Sequence, residues 1–536
     1  MPAESLTLPA LLHDNADMHG DKAAIISERG SLSHTELDET SAILAGRLVA
    51  SGVGTSSRVG LLMENGIEWA ATAAAIMRIG AVLVPLSTLL KPPELLSQLD
   101  TAAVTELIAT VMFRDHDYLA DLESLAPGIA YVTGRGGRHA KLPNLRRVWN
   151  ADDIPSDRAE TTMVTSLEES VHPAHDLVIL FTSGSRGVPK GVIHTHGGAI
   201  RATSAGLVSR CVAADERLYI PMPFFWTGGF SGGLMTALVA GATLITEAIP
   251  EPRTTLALLE REQVTLFRGW PDQAARLAAH PDVAGTDLTC LRPGSLAAIL
   301  PEGMRSKPGA RANLFGMTET FGPYCGFRLD TDLPSDKHGS YGRPFEGTEV
   351  RVFDPDSPGP CPPGVRGEIA VRGPNVMRGI CGRSRSETFD AEGFYRTGDL
   401  GTLDGDGYLW YHGRSDDMFK VSGATVYPSE VESALRGVAG VWQAFVTDIE
   451  DPAGTRVGAL VVTTLALDDL NRAIRSTLSS FKVPTLWYLS ARAEDVPRTA
   501  SDKVDKKALQ QLIKTGGVTA HNSQAPVEAS EKGPAT

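Results

Sequence analysis

The densest group of chemically capable residues lies at positions 182–191 and reads TSGSRGVPKG. The apolar run before it, Leu177 to Phe181, is typical of a buried strand. Glycines let a backbone approach a ligand without a side-chain clash, and successive N–H groups in such a loop form an anion-binding concavity. Several hydroxyls and two cations, Arg186 and Lys190, add hydrogen-bond donors and positive charge. The stretch therefore predicts a phosphate-binding loop.

An exposed hairpin loop is the alternative interpretation, since Gly, Ser and Pro are ordinary turn residues. The density of hydroxyls beside a lysine favours phosphate binding. The P-loop of the common nucleotide hydrolases needs Gly, four residues and then Gly-Lys-Ser/Thr. Here Pro189 follows the four residues after Gly184, so that motif is excluded and another fold must hold the phosphate.

The composition is that of a soluble globular protein with more than one domain. The chain has 536 residues, of which 42% are hydrophobic and 21% charged. A net charge of −14 argues against a general nucleic-acid or anionic-membrane surface, so phosphate binding must be local. Five cysteines without paired spacing predict neither a disulfide framework nor a metal knuckle, and they favour a reducing cytoplasm.

Neither a signal peptide nor a membrane span is expected. The N-terminus carries Glu4, Asp14 and Asp17 and lacks a basic start followed by an apolar run. Residues 218–246 contain no charge, but prolines and glycines within them would break a spanning helix repeatedly. We interpret that segment as strand, loop, helix and strand lining a pocket.

Alternating helix and strand signals predict a layered α/β fold. Residues 31–52 open with the capping box Ser33-x-x-Glu36, and a strand, helix and strand at 58–63, 66–79 and 81–85 form a βαβ unit. The same alternation returns between residues 230 and 279. After about residue 335, short β-like runs and Pro/Gly turns predict a small antiparallel subdomain.

The predicted architecture is a large multi-layered N-terminal domain, residues 1–412, with two α/β subdomains and a small β subdomain. A polar break, GRSDD, begins at Gly413 and predicts a hinge to a small mobile α+β C-terminal domain, residues 413–515. The remaining residues, 516–536, are rich in Ser, Gly, Pro, Ala and Glu and are expected to be disordered.

Five stretches in order resemble the signature motifs of the adenylate-forming enzymes, the superfamily of acyl-CoA synthetases, peptide-synthetase adenylation domains and luciferases. They are TSGSRGVPKG, LFGMTET (314–320), YRTGDL (395–400), GRSDDMFKVSGATVYPSEVE (413–432) and PRTASDKVDKKAL (497–509). The resemblance extends over about residues 10 to 512 and is greatest to stand-alone AMP-forming acyl-CoA synthetases.

The resemblance implies a two-step reaction. A carboxylate attacks the α-phosphorus of ATP to give an acyl-adenylate and pyrophosphate, and a thiol then attacks the adenylate to give a thioester and AMP. The implied cofactors are ATP, Mg²⁺ and CoA, and the implied setting is fatty acid and lipid metabolism. Because a carboxylate and a triphosphate repel each other, catalysis must consist mostly of positioning and charge neutralisation.

The resemblance also assigns residues of this chain to the nucleotide. Thr318 corresponds to a hydroxyl on the α-phosphate and Glu319 to the Mg²⁺ ligand, a hard oxygen donor. Asp399 is expected to accept the ribose hydroxyls with support from Arg414. The remaining implied ATP and AMP ligands are Thr182, Ser183, Gly184, Ser185, Gly187 and Lys190 over the outer phosphates, and Phe315 and Gly316 beside adenine. Outside such motifs, a Thr-Glu pair is more often a surface turn or a helix start. An isolated aspartate or arginine is more often a solvated ion-pair partner.

Lys503 corresponds to the lysine that bridges the carboxylate and the α-phosphate during adenylation. Lys506 and Lys507 are expected on the surface of the following helix. The family rotates its C-terminal domain between half-reactions, which implies a pivot at Asp416. The segment from Lys420 to Gly423 is then expected to line the thiol tunnel.

Three departures from the family pattern stand out. Arg186 replaces the usual Thr, Asp502 replaces the Gly before the catalytic lysine, and Ser295 to Ala298 replaces a glycine-rich turn beside adenine. None removes a group that the chemistry requires. We expect Arg186 to alter nucleotide affinity without abolishing binding.

The acid substrate is expected to be hydrophobic, whether fatty, alicyclic or aryl. The segment PMPFFWTGGF (221–230) aligns with the acyl pocket, whose candidate residues are Phe225, Trp226 and Gly229. Amino-acid-activating relatives place an Asp nearby to hold the α-ammonium, and this segment has no acid. Phe224 is equally consistent with the core.

Three functions are open at this point. The first is ligation of the acid to CoA. The second is an acyl-AMP ligase that loads a separate carrier protein, and the third is a catalytically silent ATP-binding relative, suggested by Arg186 and Asp502. The expected partners are a small carboxylic acid, ATP and CoA, with no nucleic acid, and the oligomeric state is open, a homodimer included.

Overall fold

The computed structural model describes residues 5–114, 116–128, 139–154, 157–182, 189–307, 309–354, 359–415, 419–421, 424–451, 454–478, 482–499 and 503–519. The chain divides into two compact units. The first comprises Met1–Thr397 and Gly401–Tyr411, and the second comprises Gly398–Leu400 and His412–Thr536.

The first unit contains two mainly parallel sheets, as the alternating signals predict. The larger sheet has, in spatial order, the strands Gly379–Ile380, Lys190–Thr195, Asp176–Thr182, Val82–Pro85, Arg58–Leu62, Glu106–Ala109 and Arg147–Asn150. The smaller has Leu266–Phe267, Arg217–Tyr219, Thr243–Ile245, Ala23–Ser27 and Gly30–Ser33. The strands at 58–62 and 82–85 pair in parallel, so the predicted βαβ unit is confirmed.

Helices pack on and between these sheets. They are Leu8–His19, His34–Ala50, Ile67–Arg78, Pro92–Thr101, Tyr118–Leu125, Thr161–Glu169, His196–Arg210, Pro252–Arg261, Pro271–Ala278 and Arg385–Thr388. Ser33 and Glu36 form the predicted capping box at the start of the second of these. Ile67–Arg78 is buried over nearly its whole length, and its Trp69 belongs to a core cluster that includes residues of both sheets.

One further helix, spanning residues 227–240, is not uniformly α-helical. It begins as α-helix at Thr227–Gly229, becomes π-helix over Phe230–Met235 and returns to α-helix at Thr236–Ala240. π-Helical turns are rare and occur frequently at functional sites. Trp69 contacts Phe230 of this segment, with ring centroids 6.1 Å apart, so the helix is fixed to the core.

Three antiparallel sheets complete the part of the first unit that the structure describes. A two-stranded sheet joins Met112–Phe113 and His116–Asp117, and a three-stranded sheet contains Phe315–Met317, Gly322–Gly326 and Arg343–Pro344. A four-stranded sheet contains Glu349–Phe353, Gly367–Arg372, Tyr395–Leu403 and Leu409–Arg414, and the last two of these strands include residues assigned to the second unit. Glu349–Phe353 pairs antiparallel with Gly367–Arg372, in agreement with the antiparallel strands predicted after about residue 335.

The second unit combines sheets and helices. Its strands are Phe419–Val421, Ala424–Val426, Val441–Asp451, Gly454–Thr463, Leu486–Ser490 and Val518–Thr519, and its helices are Pro428–Arg436, Leu467–Arg475 and Lys506–Gly516. Trp487 is fully buried in its core cluster.

The expectation of a disordered tail from residue 516 is wrong at its start. Gly516 is the last residue of a helix, and the Gly517 N–H donates to the Ile513 carbonyl. Val518 and Thr519 then pair with the Leu486–Ser490 strand, where backbone hydrogen bonds outweigh the polar composition. Residues 520–536 lie outside the described residues.

Candidate active site

Thr318 and Glu319 lie on a tight turn between two antiparallel strands. The turn is a 3₁₀ segment, Thr318–Thr320, and it ends at Phe321, whose φ of +56° is left-handed. The Thr320 hydroxyl donates to the Gly322 carbonyl at 2.7 Å and so closes the turn. The local sequence thus presents two adjacent polar side chains on a fixed backbone.

Thr318 is held from two sides. Its carbonyl accepts a hydrogen bond from Nε2 of His194 at 2.7 Å. Its Oγ1 lies 3.1 Å from Oγ1 of Thr227, the first residue of the 227–240 helix. Burial lowers the pKa of His194 to about 4, so this donor is a neutral imidazole at pH 7. The neutral ring orients the turn without adding charge.

The buried state of His194 predicts a pH-dependent stability. A folded pKa of about 4 against 6.5 means that the stabilisation is present above pH 6.5 and is lost as the pH falls toward 4. The shift corresponds to about 3 kcal/mol of unfolding free energy. We expect His194→Gln, which keeps a donor for the Thr318 carbonyl, to reduce the loss of stability between pH 7 and pH 4.5.

Urea unfolding at the two pH values measures this effect. The exposed His172 provides the matched control, and His172→Gln should retain the pH dependence of the parent. Equal pH dependence in the parent and His194→Gln would show that His194 is not the group that titrates.

Glu319 is buried and offers one carboxylate to a cation. Its Oε1 accepts from the Tyr395 hydroxyl at 3.0 Å, and its carbonyl accepts from the Met377 N–H at 2.8 Å. Among the described residues, Oε2 has no hydrogen-bond partner. Mg²⁺ commonly uses one or two carboxylates with phosphate oxygens and water. The single carboxylate fits that mode, whereas no cluster of three or more potential metal ligands occurs in the described part of the chain.

The ends of the predicted phosphate loop lie on paired strands. Thr182 and Lys190 face each other in antiparallel register, and both are half-buried. The strand register therefore places the two ends of the loop side by side. Ser183, Gly184, Ser185, Arg186 and Gly187 lie outside the described residues.

Phe315 and Gly316 occupy the strand before the turn. Phe315 contacts the rings of Tyr341 and Tyr411, each with centroids 5.0 Å away. A Cβ on Gly316 would lie 2.2 Å from the Gly322 carbonyl oxygen. This glycine is therefore required for two strands to approach, in addition to any contact with adenine.

The predicted acyl segment divides into core and candidate pocket. Phe224 is fully buried against Trp69, so it belongs to the core. Phe225 is buried, and Trp226 is half-buried between Phe225 and Trp270, whose ring centroids lie 5.1 Å and 5.7 Å from its own. An aromatic wall thus leads to Thr227 and Thr318.

The glycines of this region differ in the space around them. A Cβ on Gly229 would lie 2.1 Å from the Pro223 carbonyl oxygen, so that glycine is required by the fold and indicates little about the acid. A Cβ on the half-buried Gly232 would meet no atom within 4 Å. Gly232, which our sequence interpretation did not select, leaves open space beside the π-helical segment.

The turn that replaces the family's glycine-rich segment is anchored by its serine. Ser295 Oγ accepts from the Phe267 N–H at 3.1 Å, at the end of a strand. Ala298 is followed by the buried Ile299, which packs in a core cluster. The bulkier sequence is therefore accommodated by packing.

In the second unit, Asp399 and Arg414 lie together. Nη1 of Arg414 is 3.2 Å from Oδ1 of Asp399, whose side chain is largely buried. Gly398 has a φ of +74°, and a Cβ there would lie 2.9 Å from Arg414 Nη2. A glycine is therefore needed immediately before the carboxylate for the arginine to pack against the backbone.

Lys503 is exposed in the second unit, and its carbonyl accepts from the Thr499 N–H at 2.7 Å. Lys507, on the following helix, is also exposed, as predicted, whereas Lys506 is half-buried and 3.9 Å from Asp448. The predicted pivot Asp416, the tunnel residue Gly423, the side chain of Lys420 and the departure at Asp502 lie outside the described residues.

Three residues around the turn were missed by the sequence interpretation. His194, Thr227 and Tyr395 lie far from Thr318 and Glu319 along the chain and contact them only in the fold. A partial signal existed, since each lies within or beside a stretch that we had already selected.

No helix in the described part of the chain is long and apolar enough to cross a membrane. The uncharged 218–246 segment instead contains the predicted strands and the 227–240 helix. All five cysteines are free thiols, as expected from their spacing.

Comparison with known proteins identifies relatives along nearly the whole chain. The chain is 32% identical over 510 residues to a feruloyl-CoA synthase of Amycolatopsis, covering 92% of this chain and 95% of the relative. It is 31% identical over 531 residues to a 7a-methyl-1,5-dioxo-octahydro-indenyl propanoyl:CoA ligase of Rhodococcus jostii, covering 95% and 99% of the two chains.

A solved structure of O-succinylbenzoate coenzyme A synthetase from Bacillus subtilis, in complex with AMP, superposes with a TM-score of 0.74. It is 25% identical and covers 93% of this chain and 98% of its own. The family model described as AMP-binding enzyme matches residues 12–381, which include the phosphate loop and the Thr318 turn. The predicted resemblance is confirmed, and the chain belongs to the AMP-binding enzyme family.

Proposed function

We propose that this protein is an AMP-forming acid–CoA ligase. The acid's carboxylate oxygen attacks the α-phosphorus of ATP and expels pyrophosphate, and the CoA thiol then attacks the acyl carbonyl and expels AMP. The observation that carries the proposal is the fixed pair of Thr318 and Glu319 beside an aromatic wall. The names of the relatives, all CoA-dependent, support CoA as the acceptor.

The chain's own groups supply positioning and charge. The Thr318 hydroxyl is oriented by Thr227 to donate to an α-phosphate oxygen, and the Glu319 carboxylate, oriented by Tyr395, would hold Mg²⁺. Magnesium neutralises phosphate charge. Lys190 contributes charge at the phosphate loop, and Asp399 with Arg414 binds the ribose. Lys503 offsets the repulsion between the acid and the α-phosphate.

The acid is proposed to be hydrophobic and bulky. Phe225, Trp226 and Trp270 provide apolar surface, and Gly232 leaves open space in the helix that follows Trp226. The relatives are named for a feruloyl group and a bicyclic propanoyl group, both bulky carboxylic acids. We place the reaction in the cytoplasm, where the five free thiols stay reduced.

A two-stage assay tests the activity. Pyrophosphate release and thioester formation are measured with short, fatty, alicyclic and aryl acids, each with and without CoA. The proposal predicts pyrophosphate with bulky apolar acids and thioester only when CoA is present. Adenylate that is never converted to thioester would instead support transfer to a carrier protein, and no pyrophosphate with any acid would support a silent ATP-binding protein.

The open space at Gly232 predicts a selective effect on large acids. We expect Gly232→Leu to lower kcat/KM for aryl acids about 10- to 100-fold, since a side chain filling a pocket changes binding by roughly 1–3 kcal/mol. Short acids should be spared. The change should not destabilise the fold, because a Cβ at this position meets no atom within 4 Å.

Gly285→Leu is the matched control, because a Cβ there also meets no atom within 4 Å and the residue is exposed outside the candidate site. It should leave the kcat/KM values of all acids near those of the parent. Equal losses for short and aryl acids in Gly232→Leu would argue against a pocket at this position.

A further inference from the structure

Two arginines lie next to each other in the interior of the first unit without an acidic partner. Arg210, the last residue of the helix His196–Arg210, is only 5% exposed. Arg268 follows the strand Leu266–Phe267, and its Nη2 donates to the Arg210 carbonyl at 2.5 Å. Within the described residues, neither guanidinium has a carboxylate within 4.0 Å, the distance of an ion pair.

This arrangement leaves two neighbouring cations without a carboxylate at ion-pair distance. Buried charges in proteins are normally paired, because removing them from water is costly. Burial lowers the pKa of both arginines to about 10; for Arg210 the charge of Arg268 adds to that effect, and for Arg268 the charges of Cys211 and Asp330 oppose it. Both remain cationic at pH 7. The nearby Asp330 is already engaged by Arg328 and Thr331.

Arg268 still has donors to offer. Its single hydrogen bond among the described residues uses Nη2, and the side chain is only partly buried. Gly294 lies directly beside the guanidinium, since a Cβ there would be 3.4 Å from Nη2. The guanidinium is therefore enclosed by protein yet accessible on one side, which is the condition for binding an anion bidentately.

Arg210 of this pair lies against the later part of the 227–240 helix, whose first residue lies beside Thr318. Arg210 Nη1 contacts the Thr236 hydroxyl, whereas Thr227 contacts Thr318. At about 1.5 Å of rise per residue, Thr227 and Thr236 are roughly 13 Å apart along the helix axis. Two residues beyond Arg268, Trp270 packs on Trp226, the residue before Thr227.

We propose that Arg268, supported by Arg210, binds a second anionic group at the distal end of the acid, so that the natural substrate is a dicarboxylic acid with an apolar middle. The inference rests on the proposed function and specifies its substrate. The reacting carboxylate lies at Thr318, the apolar part lies along the aromatic wall, and the distal carboxylate accepts two N–H groups of Arg268. The excess positive charge of the pair favours a carboxylate over a neutral ketone or hydroxyl.

A matched pair of rigid acids tests the site. 4-Carboxycinnamate carries a distal carboxylate, and 4-carbamoylcinnamate replaces it with a neutral amide of nearly the same shape. We expect the parent to show a kcat/KM for pyrophosphate release that is about 10- to 100-fold higher for the diacid, as for a charged hydrogen-bonded pair. Arg268→Met should abolish that preference by lowering the diacid value alone, and Arg268→Lys, which lacks the planar fork, should retain only part of it.

The exposed Arg253 provides the control, and Arg253→Met should keep the preference of the parent. If the parent releases pyrophosphate with both acids but does not prefer the diacid, or if Arg268→Met lowers both values equally, the distal site is overturned while the proposed activity stands. The comparison in the parent needs no variant, so a folding defect in Arg268→Met cannot obscure it. If no acid of the wider panel gives pyrophosphate, the proposed activity is overturned, and this inference with it.

Discussion

Replacing Lys503 with alanine is expected to reduce pyrophosphate release at least 10²- to 10³-fold, since removal of one group that stabilises developing charge typically costs about that much. The loss should lie in kcat of the first half-reaction. ATP binding should be largely retained, because Asp399, Arg414 and Lys190 remain. Stopped-flow measurement of pyrophosphate release with saturating acid gives the first rate, and equilibrium dialysis gives the ATP affinity.

The second half-reaction separates this role from general damage. Thioester formation from chemically prepared acyl-adenylate and CoA should proceed at a rate near that of the parent, since the proposed role of Lys503 ends when the adenylate forms. Lys507→Ala removes an exposed lysine close in sequence and should behave as the parent in both steps. Undiminished pyrophosphate release by Lys503→Ala would disprove the assignment.

Replacing Glu319 with glutamine should lower pyrophosphate release about 10²- to 10³-fold at fixed Mg²⁺. The amide oxygen can still accept from Tyr395, so the turn is retained while the negative charge is lost. The Mg²⁺ concentration for half-maximal rate should therefore rise, and high Mg²⁺ should restore part of the activity. A magnesium titration of the rate checks both points.

Tyr395→Phe is the informative comparison. It removes only the hydrogen bond that orients Oε1, so Tyr395 is a positioning residue. The loss of pyrophosphate release in Tyr395→Phe should be several-fold smaller than in Glu319→Gln. Its Mg²⁺ requirement should lie between those of the parent and Glu319→Gln. If Glu319→Gln lost activity with an unchanged Mg²⁺ requirement, the carboxylate would have a structural role only.

Local signals in the sequence predicted local structure well. The capping box of Ser33 and Glu36 depends on residues within one helical turn. The βαβ unit at 58–85 depends on hydrophobic periodicity that is visible within each short segment by itself. The order of the five motifs identified the family, because their spacing depends on the chemistry of one reaction.

The long-range contacts of the site could not be predicted in this way. His194 is 124 residues from Thr318 in sequence and Tyr395 is 76 from Glu319, and no local pattern specifies such a pairing. The sequence alone also does not distinguish the structural environments of Gly229 and Gly232, since both are glycines in one helix. Only the packing of Pro223 against the first distinguishes them.

The π-helical segment Phe230–Met235 has a consequence for comparing this enzyme with its relatives. An α-helix turns about 100° per residue, so one additional residue accommodated in a wider turn rotates every later side chain by roughly that angle. A relative with an uninterrupted helix here would present a different set of residues to the same space. From such a relative, residue-by-residue transfer of specificity beyond Phe230 would require a register correction of one position, and chimaeras joined within this helix should exchange the entire segment.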